Sequence, residues 1–181
     1  MRLALRLFLA LMIVYFGIKS IRLETGGDSI GIFSKLKEIP FALLLLVTLS
    51  ELLIDAICYR NYHNFYQYTF SAIGLVFVLF TGLVKLQHYR INLAETVLQA
   101  RNLPGAPYVM KFEFKRDKNF RLTEYDPVGE TVYYGCYSRF ADTINIVSDN
   151  YHGDAGALPQ QGLLKGNMLY WKDFEPMVAG K

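Results

Sequence analysis

Apolar and polar positions follow two different patterns along this chain. Before Gln87 the apolar residues gather into three long runs, and after it they alternate with polar ones. The first run, Leu3–Ile18, is interrupted by Arg6. The second spans Phe41–Tyr59, and the third spans Thr69–Val84. A helix needs about 17–25 residues to cross a hydrocarbon core, so each run is close to a membrane span. The first and third are at the short end and call for tilt or local thinning. A basic start followed by an apolar run also fits a signal peptide. "YFGIKSIRLE" offers only Gly17 and Ser20 as small residues, so the expectation is a retained helix.

Between the first two runs, "DSIGIFSKLKEIP" sets Ile32, Phe33, Leu36 and Ile39 on one helical face. Segment 28–39 is therefore expected to lie in the membrane interface, like other amphipathic helices. The short aromatic connection "RNYHNFYQY" suits the headgroup level and makes the second and third spans antiparallel neighbours. Past Val84 the helical spacing is expected to continue through "KLQHYRINLAETVLQARN" as a stalk over 89–103. Asn102-Leu103-Pro104-Gly105 ends it. The first domain is thus 1–88 and the last 104–181.

The last domain reads as β structure. In "YVMKFEFK", Tyr108, Met110, Phe112 and Phe114 share one face and Val109, Lys111, Glu113 and Lys115 the other. "NFRLTEY", "TVYYGCYSRF", "TINIVS" and "LLKGNMLYW" add four more strands, giving about five in a curved antiparallel sheet or small open barrel. Gly135, in mid-strand, suggests a bulge or a close backbone approach. Tyr133, Tyr134, Tyr137, Phe140 and Trp171 are expected in the core or on a sheet face. The stretch "TVYYGCYSRFADTINI" resembles hairpins of small lipocalin-like β domains. The fold class is α+β membrane protein: three transmembrane helices, a helical stalk and a small antiparallel β domain.

Charge adds a question that hydropathy does not. The second run carries Glu51 near its middle and Asp55 one turn later. Its eleven Leu, Ile, Val and Phe residues contribute about −3 to −7 kcal/mol to insertion. A central acid costs about 2.5–3.5 kcal/mol on the same scale, so two of them cancel most of that gain. The span needs partners. Thr48, Glu51, Asp55 and Cys58 form one helical stripe. Arg2, Arg6, Ala10, Ile13 and Gly17 form another on the first helix. Ser71, Gly74, Val78, Gly82 and Lys85 form one on the third. Gly17, Ser71, Gly74 and Gly82 are the candidate packing residues, because small side chains let helices approach closely. Arg6 and Asp55 fall at matching depths on one membrane face. The expectation is an Arg6–Asp55 pair, with Glu51 deeper and either protonated or bonded to Arg6, Thr48 or Ser71. Lys85 belongs to the opposite face and is a poorer partner. Two readings follow: the charges specify helix or oligomer contacts, or Glu51 and Asp55 line an ion or proton path.

Composition excludes more than it identifies. A net charge of +3 is small for a dedicated nucleic-acid binder. Cys58 and Cys136 fall in different domains and form no disulfide framework. Asp149, His152 and Asp154 sit close in "SDNYHGDAG", but no histidine or cysteine cluster supports a metal site, and neither His63 nor His88 has an evident catalytic partner. No phosphate loop, nucleophile elbow or Cys-x-x-Cys is present. No enzyme activity and no cofactor are expected. Counting Lys and Arg near the spans places seven on one side (Lys19, Arg22, Lys35, Lys37, Lys85, Arg90, Arg101) and three on the other (Arg2, Arg6, Arg60). Basic residues favour the cytoplasm, so the β domain is expected in the cytosol, on a multi-pass protein of the plasma membrane.

The expected role is a non-enzymatic assembly subunit or sensor coupling a helix bundle to a β domain. Its partners would be the bilayer and a homo-oligomer or larger membrane complex. The domain order is similar to membrane-anchored β-barrel effectors of bacterial antiphage systems, although no motif matches and the span count differs. That resemblance implies a β domain that binds a small ligand and helices that oligomerise to open the bilayer. A small transporter using Glu51 and Asp55 is a further alternative.

Overall fold

The structure is a computed structural model that describes residues 2–25, 38–62, 68–103, 109–126, 129–147, 158–172 and 174–180. Its order is three α-helices followed by eight β-strands among the described residues. The helices are α1 (Arg2–Glu24), α2 (Glu38–Tyr62) and α3 (Thr69–Leu93). They fall in two compact units, divided within α3 between Leu86 and Gln87.

The first unit is a bundle of helices that are apolar on nearly every side. Each is long and apolar enough to cross a membrane. In water such surface would have to be buried, yet Leu11, Leu46, Leu53, Ile57, Val76 and Leu83 are all exposed. A helix hydrophobic all round belongs in a large core or a bilayer. What the bundle does bury is a narrow seam. Ile13 of α1 meets Leu44 and Val47 of α2, with Leu9, Met12, Phe16, Phe41, Phe77 and Val78 around them. Arg6 meets Asp55 near one end, and Lys85 holds Glu24 and Glu38 at the other. Helices consecutive in sequence therefore run antiparallel.

Two glycines set the spacing. A Cβ at Gly74 would lie 2.6 Å from Thr48 Oγ1, and one at Gly17 would lie 2.5 Å from the Phe77 ring. Each lets α3 approach closely, one against α2 and one against α1. Gly82 behaves otherwise: a Cβ there meets nothing within 4 Å, because the buried position on that turn is Thr81.

The second unit is a closed antiparallel barrel. Its strands are β1 (Thr96–Asn102), β2 (Val109–Lys115), β3 (Asn119–Asp126), β4 (Gly129–Phe140), β5 (Thr143–Val147), β6 (Gln161–Lys165), β7 (Met168–Trp171) and β8 (Met177–Gly180). They pair in sequence order, and β8 closes on β1 through Gln99–Gly180 and Ala100–Ala179. Closure removes both edges of the sheet.

Three expectations need correction here. The sheet has eight strands, not five, and is closed. "LLKGNMLYW" is two strands, because Gly166 adopts φ +59 in a tight turn. The helical stalk over 89–103 is also corrected. α3 stops at Leu93, where the Ala94 amide bonds back to Arg90 and Ile91. Residues 96–102 instead become β1, which pairs with β2 on one side and β8 on the other. Helix spacing in "AETVLQARN" lost to two flanking ladders, as tertiary context often overrides local propensity. Gly135 marks no bulge: the β3–β4 register runs through it without a shift, and the irregularity lies between Thr96 and Leu98. Most of the expected interfacial segment 28–39 lies outside the described residues; Glu38 and Ile39 begin α2.

The barrel interior is filled. Met110, Phe112 and Phe114 of β2 alternate inward and meet Phe120, Leu122, Tyr137, Ile144, Leu169, Trp171 and Met177. The Phe112 ring lies 5.4 Å from Trp171, and Phe114 lies 4.9 Å from Tyr137, edge to face. Burying each such side chain contributes about 1.5–3 kcal/mol. Polar tips find partners: Tyr137 OH donates to the Lys115 carbonyl at 2.8 Å and Trp171 Nε1 to Met177 Sδ at 3.2 Å. Gly162 lets Trp171 lie flat, since a Cβ there would be 2.6 Å from the indole. Tyr133 is buried as expected, whereas Phe140 is 83% exposed at the β4–β5 turn.

Candidate functional site

α2 supplies most of the site because its polar residues recur at helical spacing on its buried face. Thr48, Glu51 and Asp55 are all buried, and neither acid has any exposed surface. α1 brings Arg6 to the same level. Its Nε donates to Glu51 Oε1 at 2.9 Å, and its Nη2 donates to Asp55 Oδ1. From α3, Ser71 Oγ lies 2.7 Å from Asp55 Oδ2 and 3.0 Å from the Tyr68 carbonyl. The Phe70 ring sits 5.7 Å from the guanidinium carbon. The structure thus brings together Arg6, Glu51, Asp55 and Ser71, with Gly74 facing Thr48 one turn further along.

The guanidinium forks between two carboxylates rather than gripping one bidentately. Each bond is charge-assisted, a strong class of hydrogen bond. A guanidinium keeps its proton, so it offsets one carboxylate and not two. Asp55 uses both oxygens. Glu51 uses only Oε1: its Oε2 is buried without a hydrogen-bond partner, as is Thr48 Oγ1.

A second cluster lies at the other end of the bundle. Lys85 Nζ bonds Glu24 Oε1 at 2.6 Å and Glu38 Oε2 at 2.7 Å, and it lies 5.3 Å from the Phe41 ring centre. One lysine therefore ties all three helices. Sequence reasoning set Lys85 aside as a poor partner for Asp55 and sought no other. The signal was available: Glu24 ends one helix, Glu38 begins the next, and both fall at the Lys85 depth. Between the clusters, the Ser20 and Thr81 hydroxyls are buried without partners.

In the barrel, Glu113 accepts from Lys111 at 2.6 Å and Lys115 at 3.0 Å, and Lys115 also reaches Thr96 Oγ1 at 2.9 Å. Burial alone would raise the Glu113 carboxyl, but these two lysines outweigh it and hold it below the usual range. Burial raises the Tyr137 hydroxyl, with Arg139 opposing and Asp117 adding. The last turns of α3 pack with the barrel: His88 stacks on Tyr134 at 4.1 Å, Asn92 Nδ2 donates to the Tyr134 oxygen at 3.0 Å, and Ile91 is buried. The barrel also carries an open groove of 310 Å³ beside Thr143, Gly162, Tyr170 and Lys172.

No cluster of three or more metal-ligating side chains occurs among the described residues. Asp149, His152, Asp154 and His63 lie outside them. Cys58 and Cys136 are both free thiols. Comparison with family models, curated proteins and solved structures found no match to this chain.

Proposed function

We propose that this chain is a non-enzymatic, multi-pass protein of the plasma membrane that acts as a sensor or assembly subunit, its barrel lying in the cytosol. One observation carries the reading: α3 belongs to both units. Thr81 and Lys85 lie in the bundle part, while His88 and Asn92, three and seven residues beyond Lys85, meet Tyr134 of the barrel. A helix transmits rotation and axial shift along its length, because its backbone bonds are all internal. The filled interior supports a role as a rigid interaction module rather than a lumen for a ligand.

Purification of the full chain from membranes in mild detergent, with sizing and identification of co-purifying proteins, tests this reading. A defined oligomer or a stable larger complex supports it. A chain that runs as a monomer without partners and depolarises cells on expression would move the assignment to a gated membrane effector.

A further inference from the structure

The last turns of α3 carry two unlike faces. On one, His88 stacks on Tyr134, Asn92 bonds the Tyr134 oxygen and Ile91 is buried. On the other, Leu86, Tyr89 and Leu93 recur at i, i+3 and i+7 and are 46%, 60% and 68% exposed. Lipid does not account for that stripe. Lys85 bonds Glu24, where α1 ends, and Glu38, where α2 begins, so the hydrocarbon stops near that level. The polar zone beyond the hydrocarbon is about 5–7 Å deep on each side. Leu93 lies about 12 Å past Lys85 along an unbroken helix, and still about 9 Å past it at a steep tilt of about 40°. It therefore stands beyond the headgroups, where an apolar side chain gains by burial against protein.

A second observation points to which protein. The stripe continues a seam that starts inside the membrane. Val76, Leu79, Leu83, Leu86, Arg90 and Leu93 follow one another at alternating steps of three and four, and all are exposed. That is the a and d spacing of a coiled coil. A partner has to offer apolar groups at each of these depths, from the span to beyond the headgroups. A second copy does so, because it inserts with the same orientation and each seam residue meets its counterpart at the same height. We propose that α3 pairs in parallel with α3 of a second copy along this seam, with Leu86 and Leu93 forming the part outside the hydrocarbon. Arg90 opposes the pairing, since two guanidinium groups face each other there; their long stems carry the charges outward, at a cost in affinity. The inference rests on the membrane reading and names the partner that the assembly reading leaves open.

The test uses the full chain in liposomes, with Cys58→Ala and Cys136→Ser as background and one new cysteine at a time. Under mild oxidation, Leu86→Cys and Leu93→Cys should each give a disulfide-linked dimer, because residues on a two-fold seam meet their own copies. Gln87→Cys, exposed at nearly the same depth but off the seam, should not. Sedimentation equilibrium in mild detergent then reads the affinity. Leu93→Glu should weaken self-association by about tenfold or more, and Arg90→Leu should tighten it by about tenfold or more. Both side chains are exposed in the single chain, so helical circular dichroism and Trp171 fluorescence should match the original. No dimer at either seam position, equal linkage at Gln87→Cys, or no tightening in Arg90→Leu overturns the pairing. Loss of the pairing alongside a stable complex with other proteins removes this seam and leaves the assembly reading standing. Carbonate extraction of the same liposomes is read separately: a chain that washes off refutes the membrane setting, while the linkage pattern still decides the pairing.

Discussion

Replacing Arg6 by Met is the most direct challenge to the bundle. The aliphatic part of the side chain is kept, and only the guanidinium is lost. Two charge-assisted hydrogen bonds disappear, to Glu51 Oε1 and to Asp55 Oδ1. At about 1.5–3 kcal/mol each they total about 3–6 kcal/mol. An independent figure is the cost of breaking a buried ion pair by removing one partner, about 3–5 kcal/mol. Both estimates exceed a surface pair, worth about 0–1 kcal/mol, by enough to be decisive. The expected loss is therefore about 3–5 kcal/mol of bundle stability, a large part of the ordinary margin. Reversible unfolding of the full chain in mixed micelles, followed by helical circular dichroism, measures it. The triple replacement of Arg6 by Met, Glu51 by Gln and Asp55 by Asn removes every charge and should recover more than half of the loss. If Arg6→Met unfolds at the same denaturant fraction as the original chain, the ion cluster is not what holds α1 to α2. If the triple variant is no better than the single, the penalty did not come from stranded carboxylates.

Four other outcomes follow from the same geometry. Gly74→Ala places a methyl 2.6 Å from Thr48 Oγ1 and should cost about 1–3 kcal/mol, whereas Gly82→Ala meets nothing and should be neutral or gain up to about 1 kcal/mol from helix propensity; the same micelle titration compares them. Cys136 is exposed, so with Cys58 replaced by Ala an impermeant maleimide should label inside-out vesicles and spare right-side-out ones; the reverse pattern puts the barrel outside the cytosol. Glu113 has a lowered folded-state value, so its contribution is present above the unfolded carboxyl value of about 4.3 and is lost as pH falls through the folded value; acid unfolding monitored by Trp171 fluorescence should begin at higher pH for the original chain than for Glu113→Gln measured against its own neutral-pH stability. Tyr137→Phe removes one of two hydrogen bonds to the Lys115 carbonyl, which keeps the Lys118 amide at 3.1 Å, and should cost about 0.5–1.5 kcal/mol in chemical denaturation followed by the same fluorescence; no change would show that the Tyr137 bond adds nothing to stability.

Local pattern alone determined the three apolar helices, the strand alternation in "YVMKFEFK" and the stripe that joins Thr48, Glu51 and Asp55. Period and composition are properties of consecutive residues, so no tertiary knowledge was needed. The matching depth of Arg6 and Asp55 was legible too, because antiparallel spans of similar length align their ends. What the folded chain decided is of another kind. β1 is a strand because β2 and β8 both offer it a ladder, and no residue within "TVLQARN" announces those partners. β8 is four residues long, too short for a period to show, and exists because closure of the barrel requires it. Lys85 found Glu24 and Glu38 because three helix ends converge there, although the two acids flank a long connection in sequence. Gly74 and Gly82 share a stripe, yet only Gly74 meets a neighbour, since the crossing of α3 over α2 selects one turn and leaves the other open. Which of Glu51's two oxygens went unpaired also waited on geometry: Arg6 has a fixed fork, and its second arm was taken by Asp55.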